Sequence, residues 1–249
     1  MKVLGVIPAR YKSTRLPAKP LADILGKPMV QHVYENAKRA VYLDSVVVAT
    51  EDERIFAAVK AFGGMVVMTS PDHLSGTDRV AEVAAASDAD VVVNIQGDEP
   101  LLEPAMIDEC VKALTDVLSD SSVGMSTVVK RVGEDGYHDP GVVKLVKDVR
   151  GRALYFSRSL IPYPRNRTEA FGVFEHVGLY AYTKDCLRRL ASLPPGYLEQ
   201  IESLEQLRAL ENGIAIQVAE TQCVNELVSV DTQEDLERVR KILLSGVKG

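Results

Sequence analysis

The sequence predicts an α/β protein: a mostly parallel sheet flanked by helices, with a smaller sheet region embedded at about residues 120–180. Three observations predict it. Short β-branched apolar runs alternate with amphipathic stretches through the first part of the chain, the rhythm of βαβ crossovers. Beyond about residue 120 that rhythm gives way to extended segments divided by Gly, Pro and charge. Helical spacing then returns toward the C-terminus.

Residues 3–7 form an apolar run ending at Pro8 and predict a buried strand, followed by a polar loop over 10–19 without apolar periodicity. Met29, Val33 and Ala37 recur at four-residue spacing after Pro28, so a helix follows the loop. The alternation continues with strands at 45–49, 65–68 and 91–95 and helices at 52–62 and 77–86. Extended stretches are expected at 124–130, 142–146, 153–156 and 176–181, helices at 184–190 and 201–211, a strand at 215–219 and a terminal helix at 232–244 capped by Asp231 or Thr232. In the absence of a linker, repeat or low-complexity tract, residues 1–249 read as one domain. A parallel sheet binds ligands beyond the carboxyl ends of its strands, which places the site where the loops 8–19, 70–79 and 96–100 converge.

Composition narrows the classes. The 249 residues carry a net charge of −6, which speaks against a nucleic-acid partner because a phosphate-tracking surface needs a basic excess. Three widely spaced cysteines, Cys110, Cys186 and Cys223, predict neither a disulfide framework nor a zinc cluster. The first residues are too short an apolar run for a signal peptide, and every later apolar run is broken by charge, so neither export nor a membrane partner is expected and the cytoplasm is the expected location.

Within this acidic chain Arg10, Lys12, Arg15 and Lys19 crowd one loop, with Ser13 and Thr14 between them. A local cationic cluster suits a polyphosphate, although charges of this kind also pair with neighbouring carboxylates. Neither the GxxxxGK[ST] nor the GxGxxG pattern is present, which weakens the P-loop and dinucleotide readings. Asp98, just beyond a buried strand, is a natural hard-oxygen ligand for Mg²⁺.

The stretch VIPARYKSTRLPAKPL running into LGKPMV resembles the signature of sugar-nucleotide cytidylyltransferases that activate 3-deoxy-manno-octulosonate, Kdo. It is similar to the sialic-acid-activating relatives as well, but LSGTDR, NIQGDEP, YFSRSLIPYPR, HVGLYAY, LEQIESLEQLRALENG and VDTQEDLERV, in that order, favour the Kdo branch over essentially the whole chain. Ala18 stands where that family often has Gly, which matters if the loop requires a positive φ.

The resemblance implies a Rossmann-like sheet of the nucleotide-diphospho-sugar transferase type and a reaction of CTP with Kdo to give CMP-Kdo and diphosphate, for lipopolysaccharide assembly. It implies Mg²⁺ held by Asp98 and Asp231, although Asp231 taken alone suits a helix cap. Arg10, Lys19 and Asp98 are the expected catalytic residues. Nucleotide contacts are expected from Ala9, Arg10, Ser13, Thr14, Arg15, Lys19, Ser75, Gly76, Arg79 and Gln96, with Ser75 or Thr77 equally suited to capping a helix. Arg158, His176, Tyr180, Glu205 and Gln206 are expected to bind the sugar acid, while Glu202 reads as a solvated helix face. A homodimer is implied, formed through the 120–180 region with Ile161, Phe171 and Phe174 among its apolar residues. Two other readings stay open: activation of a congener such as an amino-substituted Kdo, and a non-catalytic nucleotide sensor.

Overall fold

The computed structural model describes residues 1–13, 15–166 and 172–246; Thr14 and Phe171 of the readings above lie outside them. In chain order the elements are β1 (Val3–Ala9), a 3₁₀ turn (Lys19–Leu21), β2 (Asp23–Ile24), β3 (Lys27–Pro28), α1 (Met29–Ala37), β4 (Ser45–Thr50), α2 (Glu53–Ala61), β5 (Val66–Met68), α3 (Gly76–Ala85), β6 (Val91–Asn94) and α4 (Pro104–Thr115). Then come β7 (Val123–Val132), α5 (Glu134–His138), β8 (Lys144–Lys147), β9 (Ala153–Ser157), β10 (Val173–Thr183), α6 (Lys184–Ser192), α7 (Tyr197–Glu202), α8 (Leu207–Glu211), β11 (Ala215–Glu220) and α9 (Gln233–Gly246). They group into two compact units, Met1–Asp108 with Val224–Gly249, and Glu109–Cys223.

In the first unit β1 pairs in parallel with β4 on one side and β6 on the other, and β5 extends the row beyond β4. The chain therefore builds outward from β1 to β4 and β5, then returns to place β6 against the opposite edge of β1. That reversal is a topological switch point, the place where an open α/β sheet gathers ligands beyond the carboxyl ends of its strands. β1 is buried almost throughout because its residues are apolar on both faces, as an interior parallel strand requires. A separate cluster of Ile24, Met29, Val228, Val230, Leu236 and Val239, with Leu16 against it, binds the β2–β3 hairpin and α9 to the far end of the cationic loop.

In the second unit β11 runs parallel to β7, β7 is antiparallel to β10, and β8 is antiparallel to both β10 and β9. The β7–β10 register shifts between Val177 and Tyr180, a bulge at Gly178 and Leu179. Four expectations change across the two units, the first being that the short helix α5 stands where no element is predicted. α4 carries Met106, Ile107, Cys110, Val111 and Leu114 as one fully buried stripe in a segment for which no element is predicted. The single helix expected over 201–211 is two, α7 and α8, because Ser203 adopts the left-handed conformation, φ 54° and ψ 47°, and ends α7. The hairpin β2–β3 is also additional, turning through Leu25 and Gly26, both at positive φ.

Candidate active site

The loop after β1, the loop after β6 and the segment entering α9 enclose an open cavity of about 250 Å³ in the first unit. Ala9, Arg10, Ser13, Arg15 and Lys19 of the first loop line it, with Gly76, Gln96, Asp98 and Asp231. Most of the expected nucleotide and metal residues are thus brought together. Lys12 and Gly97 join them. A Cβ at Gly97 would stand 2.7 Å from the Pro8 carbonyl oxygen, so only glycine lets the β6 exit lie against the end of β1.

Lys19 is the hub. Its Nζ donates to Asp98 Oδ2 at 2.7 Å and to Asp231 Oδ1 at 3.0 Å, while Arg15 Nη2 stands 2.9 Å from Asp231 Oδ2. Burial pulls the Lys19 pKa down, but Asp98 and then Asp231 outweigh it, and the net shift is upward. The ammonium therefore stays charged. Backbone pairing fixes this geometry: Val230 N–H donates to the Asp98 carbonyl at 2.9 Å, and Val230 is itself fully buried. Thr232 and Asp235 cap α9 reciprocally, with Asp235 N–H on Thr232 Oγ1 at 3.2 Å and Thr232 N–H on Asp235 Oδ2 at 2.8 Å. Thr232 thus takes the capping role, and the Asp231 carboxylate turns to Lys19 and Arg15 instead.

Ser75 and Arg79 are placed differently from the residues on the cavity wall. Ser75 caps α3, accepting from Asp78 N–H at 3.1 Å, while Asp78 accepts from Ser75 N–H at 3.0 Å. Arg79 is wholly buried, its Nη2 2.7 Å from Glu51 Oε2 and its Nη1 donating to Thr69 Oγ1 and to the Ser70 carbonyl. Glu51 Oε1 accepts from Tyr11 N–H at 3.4 Å, so the buried pair reaches the backbone of the cationic loop. Arg10 donates to the Leu74 carbonyl at 3.1 Å, joining that loop to the one before α3.

The residues expected to meet a sugar acid all belong to the second unit. The β10 bulge places His176 opposite Val129 and Tyr180 opposite Thr127, two positions apart on β7, and brings the two rings to 5.3 Å. Four residues of regular strand would separate their Cα atoms by about 13 Å. Phe156 packs edge-on to His176 at 5.0 Å. Thr127 Oγ1 lies 2.8 Å from the Leu179 carbonyl, to which its only proton goes, so His176 Nε2 at 2.9 Å donates to it and Nδ1 is left as an acceptor. Burial pushes the His176 pKa down to about 3. The Tyr180 phenol moves upward through burial and then through Glu205. Gln206 is buried, and its Nε2 has no hydrogen-bond partner among the described residues. Glu202 is not a solvated face: its Oε1 accepts from Ser157 Oγ at 2.6 Å and its Oε2 from Arg158 N–H at 3.1 Å.

The family sequence profile described as cytidylyltransferase matches residues 4–221. The chain belongs to the cytidylyltransferase family. A 3-deoxy-manno-octulosonate cytidylyltransferase of Solibacter usitatus is 54% identical over 99% of this chain and 96% of its own. One of Geotalea uraniireducens is 54% identical over 96% of this chain and 98% of its own. A solved CMP:2-keto-3-deoxy-manno-octonic acid synthetase complexed with CTP superposes with a TM-score of 0.91 at 44% identity, covering 99% of this chain and all of that one. A Leptospira borgpetersenii cytidylyltransferase, at 18% identity and TM-score 0.64, shares the fold. The cytidylyltransferase is thus a nucleotidyltransferase on an α/β scaffold, and no helix among its described residues is long and apolar enough to cross a membrane.

Proposed function

We propose that this cytidylyltransferase couples CTP to Kdo, giving CMP-Kdo and diphosphate for lipopolysaccharide synthesis. The observation that carries the reading is the Lys19 ammonium held between Asp98 and Asp231 beneath a loop of arginines. Arg10, Lys12, Arg15 and Lys19 outnumber the two carboxylates, so the cavity wall is net cationic and suits a triphosphate. The anomeric hydroxyl oxygen of the sugar bonds to the α-phosphorus as the bond to the bridging oxygen breaks, the hydroxyl proton passes to solvent water, and diphosphate departs with the electron pair. Arg10, Arg15 and Lys19 neutralise charge gathering on that leaving group.

The donor set fits Mg²⁺. Two carboxylates converge within 3.0 Å of one ammonium, so both offer hard oxygens to the same place, and a Mg²⁺ site uses one or two carboxylates with phosphate oxygens and water. No cluster of three or more candidate ligands occurs among the described residues, which suits an ion shared with the nucleotide. When bound there, Mg²⁺ would neutralise phosphate oxygens and acidify a coordinated hydroxyl.

On the sugar side His176 is neutral at physiological pH and offers Nδ1 as an acceptor for a hydroxyl, while the unsatisfied Gln206 amide offers a donor. Arg158 supplies the cation for the sugar carboxylate. We place the enzyme in the cytoplasm, a reading supported by three free thiols, two of them buried. A homodimer through the second unit is supported by exposed Leu154, Leu160, Tyr163, Tyr197 and Ile201. Ile161 and Phe174 contribute less to that surface: Ile161 is half-buried, and Phe174 is covered by Arg131 and Lys147.

Pyrophosphate release from CTP and Mg²⁺, measured with Kdo, with sialic acid and without sugar, tests the function. Release that depends on Kdo is expected. Release with a different sugar acid alone would transfer the specificity to that acid, and silence with every sugar would overturn the reading.

A further inference from the structure

Arg158 lies on an exposed stretch at the end of β9, where a long side chain would ordinarily wander. Its surroundings prevent that. Lys144 is wholly buried at the start of β8 and forms no ion pair among the described residues. Its three protons go to three backbone carbonyls: Asp139 at 2.8 Å, Val142 at 2.8 Å and Arg158 at 2.7 Å. From the other side, the Glu202 carboxylate accepts from Ser157 Oγ and from Arg158 N–H, and the Glu202 carbonyl accepts from Arg158 Nε at 3.2 Å. Arg158 Nη1 reaches the Pro140 carbonyl at 3.4 Å. One residue is thus held at its amide by the Glu202 carboxylate, at its carbonyl by the Lys144 ammonium, and along its side chain by the Glu202 and Pro140 carbonyls. The Nη2 end of the guanidinium takes part in none of these bonds.

A buried ammonium is a costly way to fill space, since burial disfavours its charge and an apolar side chain would fill the same volume. What Lys144 provides that an apolar residue does not is a three-way tie between the loop after α5 and the carbonyl of Arg158. We propose that Lys144 and Glu202 are positioning residues for recognition of the sugar acid's carboxylate, acting through Arg158. The proposal rests on the reading of Arg158 as the carboxylate contact. The two charges fix the Arg158 backbone so that its guanidinium meets the Glu202 and Pro140 carbonyls, and binding the anion then costs little ordering of a flexible side chain.

The test is a double-mutant cycle in the full-length enzyme, with KM measured separately for Kdo and for CTP and the fold monitored by chemical denaturation. Lys144→Met is expected to raise KM for Kdo about tenfold while KM for CTP stays within about twofold. In an Arg158→Ala background the same substitution adds nothing further to KM for Kdo, because its effect passes through the missing guanidinium. A penalty of equal size with and without Arg158, or a parallel rise in both KM values, overturns the proposal. Should Lys144→Met fail to fold, Glu202→Gln is put through the same cycle with the same expectations. Arg158→Ala that leaves KM for Kdo unchanged brings down the Arg158 reading itself, and the proposal with it. Arg158→Ala that raises KM for Kdo beside an inert Lys144→Met and an inert Glu202→Gln overturns the positioning role alone.

Discussion

Replacing Ala18 with Gly should make the enzyme more stable. Ala18 sits at φ 56° and ψ 30°, in the left-handed region, immediately before the Lys19–Leu21 turn, and its carbonyl accepts from Leu21 N–H at 2.8 Å, so the turn holds that conformation. The left-handed region costs an L-residue roughly 1–2 kcal/mol. Glycine removes that cost but returns about 0.5–1 kcal/mol through the greater freedom of the unfolded chain. The net gain is about 0.5–1 kcal/mol, and at 2–4 °C per kcal/mol for a chain of this size Tm should rise by about 1–4 °C. Differential scanning calorimetry, with chemical denaturation alongside, measures it. Lys19 follows directly in the chain, so kcat should stay within about twofold if the turn is unchanged. Ala18→Val is the counterpart: a β-branched side chain is a poor fit to this region, and both Tm and CTP affinity should fall. A glycine variant of lower Tm, together with a tolerated valine, would refute a left-handed residue 18.

Further expectations follow from the charged groups. Asp98→Asn should lower kcat at saturating CTP and Mg²⁺ by about 100-fold or more with little change in Tm, and near-normal turnover would remove Asp98 from the proposed metal role. Arg79→Met leaves Glu51 without its partner in the interior and should cost about 3 kcal/mol in denaturant, part of it recovered by adding Glu51→Gln. A stable Arg79→Met enzyme with only a raised KM for CTP would instead put Arg79 on the nucleotide. His176 has a folded pKa of about 3 against an ordinary 6.5, so between these values the unfolded chain holds the extra proton and stability falls as pH is lowered from 6.5 toward 3. His176→Asn should flatten that slope in urea titrations at stepped pH, and an unchanged slope would contradict the burial of the ring.

The parallel half of the fold is legible in the sequence because its signals are local. The apolar runs of β1, β4 and β6 need no partner to be recognised, and the motifs after β1 and β6 fall at the carboxyl ends where a parallel sheet gathers ligands. The apolar stripe of α4 had a readable helical period, Met106 and Ile107 followed by Cys110, Val111 and Leu114. Ser203 and the β10 bulge did not, since a left-handed serine and two extra strand residues are decided by tertiary packing. Asp231 shows the same limit at the site. Its neighbour Thr232 is equally able to cap α9, and only the proximity of Lys19, distant in sequence, decides which of the two does. Glu202, Lys144 and the Glu51–Arg79 pair were hidden for a related reason: their partners are carbonyls and side chains brought near by folding.

The first unit is discontinuous in sequence: Glu109–Cys223 is threaded into it as one uninterrupted insertion. On the ribosome the inserted unit is therefore complete before its host, because the segment Val224–Gly249, with Val230, Asp231 and α9, emerges after it. Until then Lys19 has only one of its two carboxylates and the cluster around Ile24 lacks the α9 side chains that close it. The proposed active site is accordingly among the final structures the nascent chain can form, and a fragment released before Asp231 carries no finished site. A chain cut before residue 224 would keep the inserted unit whole and lose the Asp231 carboxylate from the cluster around Lys19.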